Sequence, residues 1–149
     1  MEKFYHNSPF GTFVLEIEKN AIISLNTVSE IVTKSHNETL LASQFFVDLE
    51  KYFQGELKKF NYTLNPNGTI FQKKVWLALQ KIDYGKTKSY KEIATQIGNE
   101  KAVRAVGMAC HKNPIMILIP CHRVIGKNGK LTGYAGGLKL KEKLLNLEK

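Results

Sequence analysis

Cysteine is scarce in this chain: Cys110 and Cys121 are the only two. A disulfide framework is therefore not implied, and two free thiols suit a reducing, cytoplasmic setting. Ligand spacing of the zinc type is missing as well. The two cysteines and four histidines show none of the paired pattern a metal needs, so neither metal nor cofactor is expected. No apolar run reaches the ~18 residues of a membrane span. Residues 1–11 carry Glu2, Lys3 and His6 and no apolar signal core, so no export signal and no membrane partner are expected. Repeats and low-complexity stretches are absent. Arginine is rare too, with Arg104 and Arg123 the only two among 22 basic residues.

What remains is an ordinary globular mixture, 43% hydrophobic and 23% charged over 149 residues. That is room for one domain, or for a small lobe beside a compact one, with a core that needs no staples. The formal charge of +9 is unevenly placed. Residues 1–65 hold six lysines against eight acids, net −2, whereas residues 66–149 hold 14 lysines and two arginines against five acids, net +11. Such asymmetry suits a polyanion at the C-terminal part, nucleic acid before membrane. A lysine-rich surface kept for solubility explains it equally well on charge alone.

Residues 12–17 and 21–26 alternate like strands joined by a turn near Lys19-Asn20, and Phe4-Tyr5 can begin a third. From Glu38 to Phe53, Leu41, Phe45, Leu49 and Phe53 recur every four residues, a helix stopped by Gly55. Asn61 to Thr69 is a turn-rich linker, and the boundary is placed there: a sheet-plus-helix lobe over 1–65 and a second domain over 66–149. The second part reads as helical. Phe71, Val75, Leu79 and Ile82 form one stripe with Trp76 beside it, and Gly85 is expected to end that helix. Ser89-Tyr90-Lys91-Glu92 is a capping box opening a short helix that packs Ile93 and Ile97 and ends at Gly98. Asn99 can cap the next helix, roughly Lys101 to His111. The pair resembles a helix-turn-helix, although an ordinary helical hairpin is commoner. On the second helix Val103, Val106 and Cys110 share a face expected to point inward, with Arg104, Met108 and His111 opposite. Ala102, Ala105, Gly107 and Ala109 add little bulk, so this helix can approach a surface or groove closely; small residues also serve helix packing. The fold class is mixed α/β (α+β): a small N-terminal sheet lobe and a C-terminal helical lobe.

The chemistry concentrates after the apolar run Ile115 to Ile119, expected to be a buried strand. Pro120 is followed by Cys121-His122-Arg123-Val124. A cysteine and a histidine at a structural break suit a nucleophile, because thiolate rather than thiol attacks carbon and a base must take the proton. A lone buried cysteine is more often an inert core residue. Cys110 is assigned to the core by helical phase.

Five ordered motifs over residues 71–148 make the case specific. They are Phe71-xxx-Val75-Trp76, Gly85-Lys-Thr-Lys-Ser-Tyr90, Arg104-Ala-Val-Gly107 with Asn113-Pro114, Ile119-Pro-Cys-His-Arg-Val124, and Gly133-Tyr-Ala-Gly-Gly-Leu138 followed by a helix from Lys139 to Glu148. Together they resemble the O6-alkylguanine-DNA alkyltransferase family. Residues 1–65 match that family's N-terminal lobe only in size and pattern. The resemblance implies direct DNA repair, with the alkyl group of O6-alkylguanine moved irreversibly to Cys121, and O4-methylthymine as a further candidate substrate. It implies that His122 activates Cys121 through a bound water, that Glu148 orients His122, and that Asn113 holds the turn framing the site. Tyr90 would act at the flipped nucleotide and donate toward guanine O6, with Lys141 supporting it electrostatically. Ser89, Tyr90, Arg104, Ala105 and Gly107 would meet double-stranded DNA through the minor groove, Arg104 entering the stack in place of the base. Backbone around Cys121 and Val124 would read the guanine amino edge, and Tyr134, Ala135, Gly136 and Gly137 would wall the base. The protein would act as a monomer. Asp83 departs from a common proline and Ala135 from a common serine. A different turn is expected at the first, and at the second the loss of a hydroxyl, leaving a backbone amide to serve the base oxygen.

Three other functions compete: a protein that flags alkyl damage without repairing it, a helix-turn-helix regulator, and a thiol hydrolase. The first lacks an acceptor cysteine, which this chain has. The second needs base-reading side chains where this chain places small ones. The third needs an oxyanion hole and cleft that the sequence does not reveal. No metal-binding cysteines suggest an inducer role.

Overall fold

The structure, a computed structural model, describes residues 1–30 and 38–149. The chain divides into two compact units, Met1–Pro66 and Asn67–Lys149. The mixed α/β class expected from the sequence is the class observed.

In the first unit β1 (Glu2–Ser8), β2 (Gly11–Glu18) and β3 (Ala21–Val28) form an antiparallel meander in the order β1-β2-β3. The β2–β3 turn is closed by Lys19 and Asn20, both at positive φ (50° and 63°), the backbone that a two-residue hairpin with native twist requires. Alternation on β2 buries Phe13, Leu15 and Ile17. Between Glu16 and Ile17 the register slips, so that Glu16 faces Ser24 and Ile17 faces Ile22. Ile23 is the extra residue, and this lets Ile22 and Leu25, three apart, both reach the core. The helix α1 (Leu40–Phe53) starts at Thr39, whose hydroxyl accepts from the Ala42 amide (3.2 Å). It buries Ala42, Phe45, Phe46, Leu49, Tyr52 and Phe53. Phe53 stacks on Phe10 and tilts against Phe13, so aromatic rings carry much of this core.

The second unit is helical. It holds α2 (Ile70–Leu79), β4 (Lys88–Ser89), α3 (Tyr90–Gln96), α4 (Val103–His111), β5 (Val124–Ile125) and α5 (Leu138–Leu147). Thr69 and Gln72 make a reciprocal capping box at the start of α2, and Ser89 and Glu92 make the expected one at α3. Trp76 is buried and donates from Nε1 to the Ala109 carbonyl (2.9 Å), tying α2 to α4. Among the described residues no helix is long and apolar enough to cross a membrane.

Several local expectations need correction. The helix α2 ends at Leu79 rather than at Gly85; Ile82 is buried from the turn that follows, while Phe71 is only half-buried. Asn99 caps nothing: α4 starts after Ala102 with no side-chain cap, and Asn99 instead offers its carbonyl to the Ala102 amide. Val103 is exposed, because the first turn of α4 lies beyond the core that Val106, Ala109 and Cys110 fill. Ile97 is half-buried at the end of α3. Residues 115–119 are no strand but a buried turn, with Ile117 at φ 73°.

Candidate active site

Asn113 closes the turn in which this apolar run is buried. Its side-chain oxygen accepts from the Ile115 amide (2.9 Å), and its Nδ2 donates to the Ile119 carbonyl (2.8 Å). One amide thus closes both ends of the turn. The same Nδ2 lies 3.1 Å from Cys121 Sγ. Pro120 then opens a single 3₁₀ turn, Cys121–Arg123, with Arg123 N donating to the Pro120 carbonyl (2.9 Å). Immediately afterwards β5 pairs in parallel with β4, Lys88 with Val124 and Ser89 with Ile125. That short ladder brings the start of α3, and so Tyr90, to the Cys121 turn.

Glu148, the C-cap residue of α5, is buried among donors. Its Oε2 lies 2.7 Å from His122 Nε2 and accepts from Arg123 Nη2 (3.1 Å). Its Oε1 accepts from Arg123 Nε (2.8 Å) and from the Gly85 amide (3.3 Å). Arg123 also donates from Nη1 to the Ile82 carbonyl (2.7 Å). A carboxylate gripped by a guanidinium is an acceptor, so His122 Nε2 carries the hydrogen and Nδ1 the lone pair. His122 is wholly buried, and Nδ1 has no hydrogen-bond partner among the described residues.

Burial sets the protonation states. It pushes the Cys121 thiol up to about 11, against the downward pull of the Asn113 hydrogen bond and of Lys141. It holds His122 below the ordinary imidazole range, outweighing Glu148. The resting pair is therefore a thiol beside a neutral imidazole, a base able to accept a proton. Cys110 is pushed up to about 12, chiefly by burial, and rests as a thiol.

Gly85 does not end a helix; it seats Glu148. Its φ is +78°, and a Cβ there would lie 2.9 Å from the Glu148 carbonyl oxygen. Beside it Tyr84 donates to the Leu147 carbonyl (3.2 Å). We expect Gly85→Ala to cost roughly 1–3 kcal/mol, from left-handed backbone strain and displacement of the chain end. Thermal unfolding checks this, and an unchanged Tm would mean that the seat is slack.

Tyr90 is half-buried at the first residue of α3. Thr132 Oγ1 donates to its phenol oxygen (3.2 Å), and the phenol reaches the Thr132 carbonyl at 3.4 Å. Burial, more than any neighbour, raises Tyr90 above the ordinary phenol range. Lys141 is fully buried and donates to the carbonyls of Val124 (2.6 Å) and Thr132 (2.8 Å), with its Nζ 5.9 Å from the Tyr90 ring centre. Burial lowers its pKa. Val124 is buried, and its carbonyl already holds Lys141, leaving one further lone pair. Tyr134 is buried with Oη unpartnered among the described residues. Gly136 is packed so closely that a Cβ would meet Leu140 and Met116 at 2.8 Å. Ala135 is exposed, Gly137 is the N-cap residue of α5, and Asp83 sits in a turn closed by the Lys86 amide on its carbonyl.

The outer face of α4 presents Arg104, Ala105 and Met108, all exposed. Gly107 is informative: a Cβ there would meet nothing within 4 Å, so internal packing does not demand glycine. Ser89 Oγ is engaged as the α3 cap. Among the described residues no group of three or more His, Cys, Asp or Glu could hold a metal. Sequence reasoning passed over Arg123, Thr132 and Gly85 as site residues. Only Arg123 left a usable signal, being one of two arginines and adjacent to the Cys-His pair.

These features define a protein built around a buried thiol, followed in the chain by a neutral imidazole whose Nε2 is held by a buried carboxylate. Comparison with known proteins narrows the class. Residues 70–149 match the 6-O-methylguanine DNA methyltransferase DNA binding domain, and residues 1–66 match the ribonuclease-like domain of the same methyltransferase. A methylated-DNA–protein-cysteine methyltransferase of Methanosarcina mazei is 61% identical over 152 residues, covering 97% of this chain and 96% of the relative. The Methanosarcina acetivorans protein of that name is 65% identical over 100 residues, which span 67% of this chain and 64% of the relative, just under two thirds of its length. The crystal structure of Mycobacterium tuberculosis OGT in complex with DNA aligns with TM-score 0.88 at 45% identity, covering 97% of this chain and 91% of that one. The chain belongs to the 6-O-methylguanine DNA methyltransferase family.

Proposed function

We propose that this protein repairs DNA by moving the methyl group of O6-methylguanine onto its own Cys121, once per molecule. The observation that carries the proposal is the joined set Asn113–Cys121 and His122–Glu148–Arg123, buried in a chain whose relatives are named for this reaction. At neutral pH a thiol with a pKa of about 11 is thiolate in only on the order of one molecule in 10⁴. Proton removal must therefore accompany attack. His122 Nδ1 takes the thiol proton through a bridging water, and Glu148 stabilises the imidazolium that forms. The sulfur lone pair attacks the methyl carbon, the carbon–O6 bond breaks, and its electron pair passes to guanine. Tyr90 donates toward O6 as that oxygen departs, and guanine is restored. Val124 and residues 134–137 wall the base, and Asn113 fixes the turn that holds the sulfur.

The target carbon lies inside a stacked pair, so the nucleotide must be flipped out at a cost of a few kcal/mol. Arg104, exposed on the low-relief face of α4, fills the gap, while Ala105 and Gly107 allow close approach to the minor groove. The bulk of the net +11 over residues 66–149 supplies sequence-independent affinity for double-stranded DNA. The alkyl-acceptor and DNA-binding work falls to the second unit, in a monomer acting in the cytoplasm. Loss of O6-methylguanine from a duplex, with guanine recovered in equal amount, tests the proposal; unaltered lesion contradicts it.

The wedge role makes a separate prediction. Arg104→Ala weakens repair of duplex DNA by on the order of tenfold or more, yet barely alters reaction with free O6-alkylguanine, which needs no flipping. Single-turnover rates on both substrates decide it. Equal loss on both removes the wedge.

A further inference from the structure

We propose that Thr132 is a positioning residue for alkyl transfer, its hydroxyl holding the Tyr90 phenol so that the phenol proton is free to move to the departing base. The inference rests on the proposed function and adds a residue to it. Three contacts meet at Thr132. Its Oγ1 donates to Tyr90 Oη (3.2 Å), its carbonyl accepts from Lys141 Nζ (2.8 Å), and that carbonyl is also the acceptor facing the phenol, at 3.4 Å.

A phenol has one proton and two lone pairs. The Thr132 hydroxyl occupies a lone pair, which fixes the oxygen without consuming its proton. The resting acceptor of that proton is weak on two counts: 3.4 Å is at the limit of a hydrogen bond, and the carbonyl is already engaged by an ammonium at 2.8 Å. A substrate oxygen gaining charge competes with it easily. As the proton leaves, charge builds on Tyr90 Oη, and the Thr132 hydrogen bond becomes charge-assisted. The contact is therefore stronger in the transition state than at rest, the condition for accelerating the step. The bond favours the ionised phenol, opposing the burial that raises Tyr90. No covalent change occurs at Thr132 itself.

Thr132→Val removes the hydroxyl, keeps the volume and leaves the carbonyl that holds Lys141. The test measures single-turnover methyl transfer from a duplex containing O6-methylguanine. Thr132→Val is expected to slow it on the order of tenfold, with duplex Kd unchanged. Thr132→Ser restores the rate to within about threefold. In a Tyr90→Phe background, which has no phenol to hold, Thr132→Val adds little. A wild-type rate for Thr132→Val overturns the proposal. So does a loss of equal size in the Tyr90→Phe background, or a serine variant as slow as the valine one. If the wild-type protein transfers no methyl group at all, the proposed function fails and this inference falls with it; transfer unaffected by Thr132→Val sinks the inference alone.

Discussion

Glu148→Gln slows methyl transfer by about a hundredfold or more and destabilises the protein by roughly 3 kcal/mol. The carboxylate accepts hydrogen bonds from His122 Nε2, from Arg123 Nε and Nη2, and from the Gly85 amide. An amide of the same shape keeps one acceptor oxygen and must point its NH₂ at existing donors. If the NH₂ faces His122, the ring takes the other tautomer, its hydrogen moves to Nδ1, and the base toward Cys121 is lost. If it takes the Oε1 place instead, the Arg123 Nε and Gly85 amide lose their acceptor, and in either orientation the buried guanidinium loses its counter-charge. Either arrangement costs stability, and the first also costs rate. Thermal unfolding and single-turnover kinetics read the two separately. Arg123→Met, which leaves the His122–Glu148 contact in place, destabilises with a smaller loss of rate. Wild-type rate and Tm for Glu148→Gln would show that the cluster is neither catalytic nor structural.

The second large effect is an amplitude. With excess O6-methylguanine duplex the reaction is expected to stop at about one methyl group per chain, because the thioether formed at Cys121 offers no good leaving group. The other thiol, Cys110, is 4% exposed and pushed up to about 12, and it has no counterpart to the Asn113 contact at Cys121 Sγ among the described hydrogen bonds. Cys121→Ala still binds the duplex and takes up no methyl group. A steady rate continuing through several equivalents would refute the single-use account.

Patterns within a few residues of each other were legible in the sequence. Lys19-Asn20 reads as a hairpin turn, Ser89 with Glu92 as a capping box, and the α1 stripe as a buried helix face, because each is set by local backbone chemistry. The run Ile115–Ile119 shows the limit. Its apolar character reports burial faithfully, but a buried strand and a buried turn look alike until Asn113 is seen closing the turn. Gly85 reads as punctuation, although its left-handed φ serves a contact 63 residues away. Arg123 and Thr132 were passed over for the same reason: their partners, Glu148 and Tyr90, lie 25 and 42 positions off. Helical phase placed Val106 and Cys110 inside but failed at Val103, since the core ends before the first turn of α4 does. Cys121 and His122 stand together in the sequence. The roles given to them came from resemblance to a family, and the hydrogen bonds that make those roles chemically sensible came from the fold.

The central claim is that Cys121 Sγ is the methyl acceptor. Its most direct test incubates the protein with duplex carrying isotopically labelled O6-methylguanine, then determines intact mass and maps the labelled peptide. A gain of one methyl group is expected, located on Cys121 and lost in Cys121→Ala. Label on Cys110, label on no cysteine, or repair of the lesion by a protein whose mass has not changed would contradict it.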